Sequence, residues 1–220
     1  MEHPLFMDYG PIPGIAIFAV LMAVSGGFFS YQVVKATRLV RLGRPDNRFD
    51  NWGARISEVI TGWLGQKKVL KDRVAGGIHV MMFWGFLMLS TDMFDLATGN
   101  WFSHNLLPQL INGPWNIMVE FGYFIAFIGC TLALIRRTIF TPDKLKGKSQ
   151  VEGNAILLLI MTITTTAFVV EAGEAGVSKT WEPIGYWVAQ TIIPSTTMVV
   201  IAYWAHMLAI ATFLFLIPVS

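Results

Sequence analysis

Five runs of apolar residues constrain this chain more than any other feature. A bilayer core needs about 20 consecutive apolar residues in a helix. Since irregular backbone cannot face lipid, each run predicts a transmembrane helix. The runs are Ile15–Val34, Val74–Leu96, Trp115–Ile135, Gly153–Val170 and Thr196–Val219. We therefore expect an all-α integral membrane protein, a bundle of five transmembrane helices that forms a single membrane domain over residues 1–220.

The composition agrees with a membrane protein. Hydrophobic residues make up 54% of the chain and charged residues 14%, and the mean hydropathy of +0.56 lies above that of soluble domains. The single cysteine, Cys130, excludes a disulfide framework and an iron–sulfur cluster bound by this chain alone. No basic segment precedes the first run, which favours a retained anchor over a cleaved signal.

The distribution of positive charge predicts the orientation. Ten Lys and Arg residues lie from Lys35 to Arg73, between the first two runs, and five lie from Arg136 to Lys148, between the third and fourth. Lys179 is the only other one. By the positive-inside rule these two connections are cytoplasmic. The N-terminus is then outside and the C-terminus cytoplasmic.

The first basic connection contains an amphipathic segment at about 50–66. Its apolar residues recur at steps of three and four, which is typical of a helix lying on the membrane surface. Two interpretations remain open: an anchor for phospholipid headgroups, or a docking surface for a cytoplasmic redox partner. The apolar residues are Trp52, Ile56, Val59, Ile60, Trp63 and Leu64.

Two of the four histidines lie inside apolar runs. An imidazole at membrane depth is costly unless something binds it, and haem b takes axial imidazoles from membrane helices. His79 and His206 are therefore predicted to be haem iron ligands, although a hydrogen bond to a neighbouring hydroxyl or carbonyl would also satisfy such a residue. His3 is expected to be solvated, and His104 to lie on the surface.

Two glycines next to His79, Gly76 and Gly77, are predicted to leave room for the flat macrocycle. Packing of the glycines against another helix would produce the same pattern.

The two histidines differ in depth. With a rise of about 1.5 Å per residue, His79 lies ~8 Å from the cytoplasmic end of its helix and His206 ~20 Å from the same side. On the second helix, the residue at the same depth as His206 is near Leu87. Either the helices are shifted along their axes, or the histidines serve different haems.

Several segments carry a family likeness. The most specific is the run from Gly65 to Phe86, which includes Arg73-Val-Ala-Gly-Gly-Ile-His79. Together with Gly43–Asp50, Arg136–Pro142 and Trp204-Ala-His206, it resembles the membrane domain of heterodisulfide-reductase-like iron–sulfur oxidoreductases. That domain is related to the gamma (cytochrome b) subunit of respiratory nitrate reductase. The chain is most similar to the type that passes electrons from electron-transfer flavoprotein to menaquinone.

The resemblance implies that the chain is the membrane part of a longer polypeptide with a cytoplasmic, cysteine-rich region holding 4Fe–4S clusters. It also implies that His79 pairs with a histidine beyond Ser220 and that His206 binds a second haem on the outer side. The nitrate reductase relatives take the other ligand of that haem from the second helix. This chain has Met88-Leu-Ser-Thr there, so the second ligand remains open.

The resulting prediction is a transmembrane electron conduit in a prokaryotic inner membrane, part of a respiratory chain. Quinone reduction takes up protons, so its site needs ionisable groups beside an apolar cleft. The candidates are Glu171, Glu120 and Asp92, with Asp95 and Glu174 the weaker ones. The alternatives are a haem-free membrane anchor or assembly subunit, and a small transporter. The transporter is the weaker alternative, because the five helices lack the internal repeat that is common in transporter folds.

Overall fold

Five long helices, each apolar enough to span a membrane, form the frame of the molecule. The computed structural model describes residues 3–43, 50–97, 109–140, 148–173 and 180–218. The expected all-α bundle of five spanning helices is confirmed within these residues. The long helices are α1 (Gly14–Val40), α3 (Arg73–Ala97), α4 (Gln109–Thr138), α5 (Lys148–Ala172) and α7 (Thr196–Leu216).

Short elements lie at the ends of the long helices. The amphipathic segment forms α2 (Trp52–Glu58), which continues as a π-helical turn over Val59–Leu64. Two further elements were not predicted from the sequence. They are a small N-terminal hairpin of β1 (Asp8–Tyr9) and β2 (Ile12–Pro13), and the ten-residue helix α6 (Pro183–Ile192).

The N-terminal hairpin depends on a glycine. Tyr9 pairs with Ile12, so the turn consists of Gly10 and Pro11. Gly10 has a φ of 70°, which a residue with a side chain adopts only at a cost. A 3₁₀ turn over Pro4–Phe6 precedes the hairpin.

Helix α4 lies at the centre of the bundle. It packs against α3 on one side and α5 on the other, α5 packs against α7, and α7 packs against α1. In the most apolar window of α4, 44% of residues are buried inside the protein, compared with 11% for α1. Helix α1 is therefore peripheral, and most of its surface is left for lipid.

Small residues bring α3 and α4 into close contact. A Cβ atom added to Gly85 would lie 2.7 Å from the backbone nitrogen of Ala126. One added to Gly122 would lie 2.6 Å from Cβ of Met88. Helices in lipid gain most of their association energy from such close packing, because the lipid tails are as apolar as the side chains.

The described parts of the two basic connections lie at the same end of the bundle, which we call the basic end. Asp72 caps α3 by accepting hydrogen bonds from Val74 N (3.1 Å) and Ala75 N (3.0 Å). Its other oxygen lies 3.7 Å from Nη2 of Arg136, at the end of α4. The opposite end carries the hairpin, α6, Glu171 and Glu182, and we call it the acidic end. Its exposure to the cell exterior stays a prediction from the positive-inside rule.

Three threonines of α5 satisfy their hydroxyl groups within the helix, as a lipid environment requires. Thr162 donates to Leu158 O (2.9 Å), Thr164 to Met161 O (3.0 Å) and Thr166 to Thr162 O (2.6 Å). Thr164 is fully buried.

Candidate functional site

A cavity of about 320 Å³ lies in the half of the bundle toward the acidic end. Helices α4, α5 and α7 form its walls together with His3 of the N-terminal segment and Glu182, the residue before α6. Three predicted site residues that are far apart in the sequence meet in it: Glu120, Glu171 and His206. Its wall also includes His3, Glu182 and Tyr203.

His206 is buried, and its two ring nitrogens have different roles. Nδ1 lies 2.9 Å from the carbonyl oxygen of Ile163 and 3.1 Å from the hydroxyl oxygen of Thr166. Because a carbonyl can only accept, Nδ1 carries the hydrogen. The other nitrogen, Nε2, then keeps its lone pair. This is the usual arrangement of a metal-binding histidine, whose second nitrogen is held by a backbone carbonyl.

A second pocket also borders His206. It has a volume of about 80 Å³ and an apolar wall that includes Phe86, Leu89, Ile163 and Phe213. His206 and Tyr123 border both spaces. His206 is therefore in the wall of a partly polar cavity and of an apolar one.

His79 lies well apart from His206. Leu89 shares the apolar pocket with His206, and it is ~15 Å further along α3 than His79 at the helical rise. A single untilted haem cannot join two imidazoles at such different depths. The depth mismatch expected from the sequence is thus present in the fold.

The surroundings of His79 are open. Its side chain is exposed, and it forms no hydrogen bond within the part of the chain that the structure describes. One turn further along α3, Phe83 packs edge-on against Trp63 of the π-helical turn, with ring centroids 5.6 Å apart. The amphipathic segment therefore reaches the face of α3 that carries His79.

Gly76 and Gly77, the two glycines next to His79, do not have the surroundings expected of residues that leave room for a haem. A Cβ atom on Gly76 would collide with the backbone of Val69 and Leu70, so Gly76 lets α3 pack on the turn before it. Gly77 faces open space, but it lies about 200° around the helix from His79. Their assignment to the cofactor stays a prediction that these contacts do not support.

Glu120 holds the N-terminus of α6. It is 2% exposed, and its carboxylate accepts a hydrogen bond from the backbone N–H of Gly185. Amide groups in the first turn of a helix have no partner inside the helix and carry partial positive charge. The Glu120 carboxylate, on the neighbouring helix α4, therefore supplies a hydrogen-bond acceptor for an amide at the N-terminus of α6.

Two more carboxylates lie at the same place. A Cβ atom on Gly185 would lie 2.7 Å from the carboxyl carbon of Glu171, so the Glu171 side chain packs directly on the backbone of α6. Glu182 accepts a hydrogen bond from Asn116 Nδ2 at 2.7 Å. Asn116 and the role of Glu182 were not predicted from the sequence; the signal for α6 was Pro183, a residue favoured in the first turn of a helix.

The N-terminal segment contributes His3, which was wrongly expected to be solvated. His3 lines the cavity, and its ring packs edge-on against Tyr203 with centroids 5.2 Å apart. Its Nδ1 accepts a hydrogen bond from Leu5 N at 3.2 Å. Burial lowers the pKa of the His3 imidazole from its ordinary value of 6.5. Tyr203, also missed, lies one helical turn before His206, a spacing that places both on one face of α7.

The remaining candidates cannot be placed. His104 and Glu174, and the side chains of Asp92 and Asp95, lie outside the described residues. Among the described residues, no group of three or more His, Cys, Asp or Glu side chains could hold a metal ion. A haem needs only one or two axial ligands, so this finding does not bear on it.

Two curated proteins are similar to this chain over almost its full length. The probable iron–sulfur-binding oxidoreductase FadF of Bacillus subtilis is 26% identical over 224 residues, which cover 95% of this chain and 31% of the relative. The EtfAB:quinone oxidoreductase of Syntrophomonas wolfei is 26% identical over 243 residues, covering 99% of this chain and 33% of the relative. The predicted resemblance to iron–sulfur oxidoreductases is confirmed.

The chain spans about a third of the length of both relatives. No protein-family model and no solved structure matches it.

Proposed function

We propose that this chain is the haem b-binding membrane part of an iron–sulfur oxidoreductase, and that it passes electrons between iron–sulfur clusters and a quinone in the bilayer. The names of the two relatives support the coarser statement, an electron-transfer oxidoreductase linked to quinone. The 4Fe–4S clusters lie in a cytoplasmic region or partner, and the membrane is a prokaryotic inner membrane. The quinone is menaquinone, and electron-transfer flavoprotein is the proposed donor.

The environment of His206 is the observation that carries the proposal. A purely structural histidine would also donate to the Ile163 carbonyl, but that bond uses only Nδ1. Nε2 keeps its lone pair and has no protein partner among the described residues, so it is available to a ligand in the spaces that His206 borders. A bond to iron would use that lone pair. The donor chemistry of His206 therefore fits a haem.

The two histidines would hold haem at different depths. His206 would serve the half of the bundle toward the acidic end, and His79 the basic end, nearer to the clusters. Haem b supplies one-electron transfer when bound. The role of this chain is to orient the imidazoles, and the Ile163 carbonyl does so for His206. The helices also separate the electron-transfer path from lipid and water.

The quinone would occupy the 320 Å³ cavity, whose carboxylates can supply protons. A volume of this size lies at the lower end of the range for small-molecule sites, which suits a head group of one or two rings. Glu120 is engaged at the N-terminus of α6. Glu171, near the end of α5 and in the wall of the same cavity, is the preferred proton group, and Asp92 remains a candidate.

A difference spectrum of reduced minus oxidised membranes containing the chain tests the proposal. We expect a b-type haem band. His206→Ala and His79→Ala should each remove part of it, with different midpoint potentials left behind, because they serve separate haems.

His3→Gln provides the matched control, since His3 is a histidine of the same cavity that is not assigned to iron. This variant should keep the full band. Absence of the band in the unaltered protein would contradict haem binding and leave the chain as a membrane anchor or assembly subunit.

A further inference from the structure

Tyr203 contains a buried hydroxyl group that the fold leaves unused. The residue is 3% exposed, and its hydroxyl oxygen has no hydrogen-bond partner within the described residues. Leaving a buried hydroxyl without a partner is costly, and buried polar groups without one are rare. Because Tyr203 also borders the 320 Å³ cavity, a ligand bound there could supply the partner.

The ring of Tyr203 is held in place. His3 packs edge-on against it at a centroid distance of 5.2 Å, and Trp204 does the same at 5.2 Å. The hydroxyl therefore keeps one position relative to the cavity. A hydrogen-bond donor held in this way loses little entropy when it binds a ligand.

Several other polar groups of the cavity already have hydrogen-bond partners in the protein. His206 Nδ1 donates to Ile163 O, and Asn116 donates to Glu182. Glu120 accepts from Gly185 N. Tyr203 thus offers a neutral donor in a wall that is otherwise partly apolar and partly carboxylate.

We propose that the Tyr203 hydroxyl donates a hydrogen bond to a carbonyl oxygen of a quinone head group bound in the 320 Å³ cavity. This inference rests on the proposed function and adds the residue that recognises the quinone oxygen. Apolar walls such as Val119, Ala167 and Met207 suit the ring. The carbonyl oxygen is what distinguishes a quinone from a hydrocarbon of the same shape.

Binding of menadione and of methylnaphthalene to the detergent-solubilised protein tests the proposal. Both molecules have a methylated two-ring body, but only menadione carries carbonyl oxygens. Tyr203→Phe should raise the dissociation constant of menadione about 3- to 10-fold, as expected for one neutral hydrogen bond, and leave that of methylnaphthalene unchanged. Quenching of tryptophan fluorescence provides the measurement.

Two controls separate recognition from folding. Tyr203→Phe removes an unpaired buried hydroxyl, so its unfolding temperature without ligand should equal or exceed that of the unaltered protein. Tyr31→Phe, at an exposed position on α1, should change neither dissociation constant.

Each other outcome has a defined meaning. Equal menadione affinity in Tyr203→Phe and the unaltered protein overturns the inference and leaves the proposed function standing. A loss of affinity for both ligands overturns it too, since the effect would be one of shape. Loss of the haem band with menadione binding intact would assign the hydroxyl to the haem instead. If the unaltered protein binds no menadione, the quinone part of the proposed function fails first.

Discussion

Single hydrogen bonds decide what the buried ionisable residues of this protein can do. The Ile163 carbonyl sets the tautomer of His206 and leaves its other ring nitrogen with a lone pair. The backbone of α6 engages Glu120, so a residue that the sequence suggested as a proton donor also has a structural role. Burial alone would not distinguish these two roles.

The structural role of Glu120 predicts the effect of its replacement. Glu120→Ala should lower the free energy of unfolding by about 1–3 kcal/mol, because it leaves a buried N–H of α6 without an acceptor. Glu120→Gln keeps a carbonyl oxygen and should cost less. Thermal unfolding in detergent provides the measurement, and equal stability of the alanine variant and the unaltered protein would contradict the assignment.

The lowered pKa of His3 predicts a pH dependence of the N-terminal segment. The folded form favours the neutral imidazole, so the unfolded segment binds more protons below the ordinary pKa of 6.5. The stability of the segment should be full above that pH and fall as the pH drops from 6.5 toward the lowered pKa. Protonation also turns Nδ1 into a donor and breaks its bond with Leu5 N.

Hydrogen exchange of the Leu5 amide measures this change. Exchange corrected for its intrinsic pH dependence should become faster below pH 6.5 in the unaltered protein. It should not change with pH in His3→Gln, which has no titrating ring. A pH-independent rate in both proteins would mean that the imidazole is not buried in solution.

At the scale of helices, packing depends on small residues in the α3–α4 contact. Gly85 lies against the backbone of Ala126 and Gly122, and backbone atoms cannot rotate away from an added methyl group. Elsewhere glycine has no such role: Gly26 of α1 faces open space. The two positions allow a matched comparison.

Gly85→Ala should lower the free energy of unfolding by about 1–3 kcal/mol, as overpacking in a tight contact does. Gly26→Ala should be neutral or slightly stabilising, since alanine is the better helix former. Unfolding of both variants in the same detergent measures the difference. Equal stability would show that α3 and α4 separate more easily than their contact suggests.

At the scale of the whole molecule, charge and shape divide the protein into two ends. The basic connections gather at the end near His79, and carboxylates gather with the cavity at the other. In the proposed function, electrons enter from clusters at the basic end and protons are exchanged at the acidic end. Separate haem positions at His79 and His206 would connect them.

This division predicts the result of labelling intact bacterial cells with a membrane-impermeant maleimide. Asp8→Cys, in the exposed N-terminal hairpin, should be labelled from outside. Gly53→Cys, in the exposed α2 segment, should be labelled only after the cells are made permeable. The native Cys130 is fully buried and gives little background. The reverse pattern would contradict the orientation.

The sequence by itself determined the membrane class, the five helices and the two basic connections, because a bilayer imposes a length and a charge rule that can be read residue by residue. It also identified His79 and His206 and their difference in depth, since depth follows from the helical rise. The family resemblance was recognisable from local motifs such as Gly65–Phe86.

Only the tertiary structure decided which of these residues meet. Glu120, Glu171 and His206 lie on three different helices, and their convergence depends on how α4, α5 and α7 are rotated about their axes. Helix α6 and the docked His3 were not predicted because elements too short to span a bilayer do not follow its length rule. Tyr203 escaped because an unpaired hydroxyl can be recognised only once every possible partner has a position. Length and charge act along the chain, whereas a binding site depends on contacts between distant parts of it.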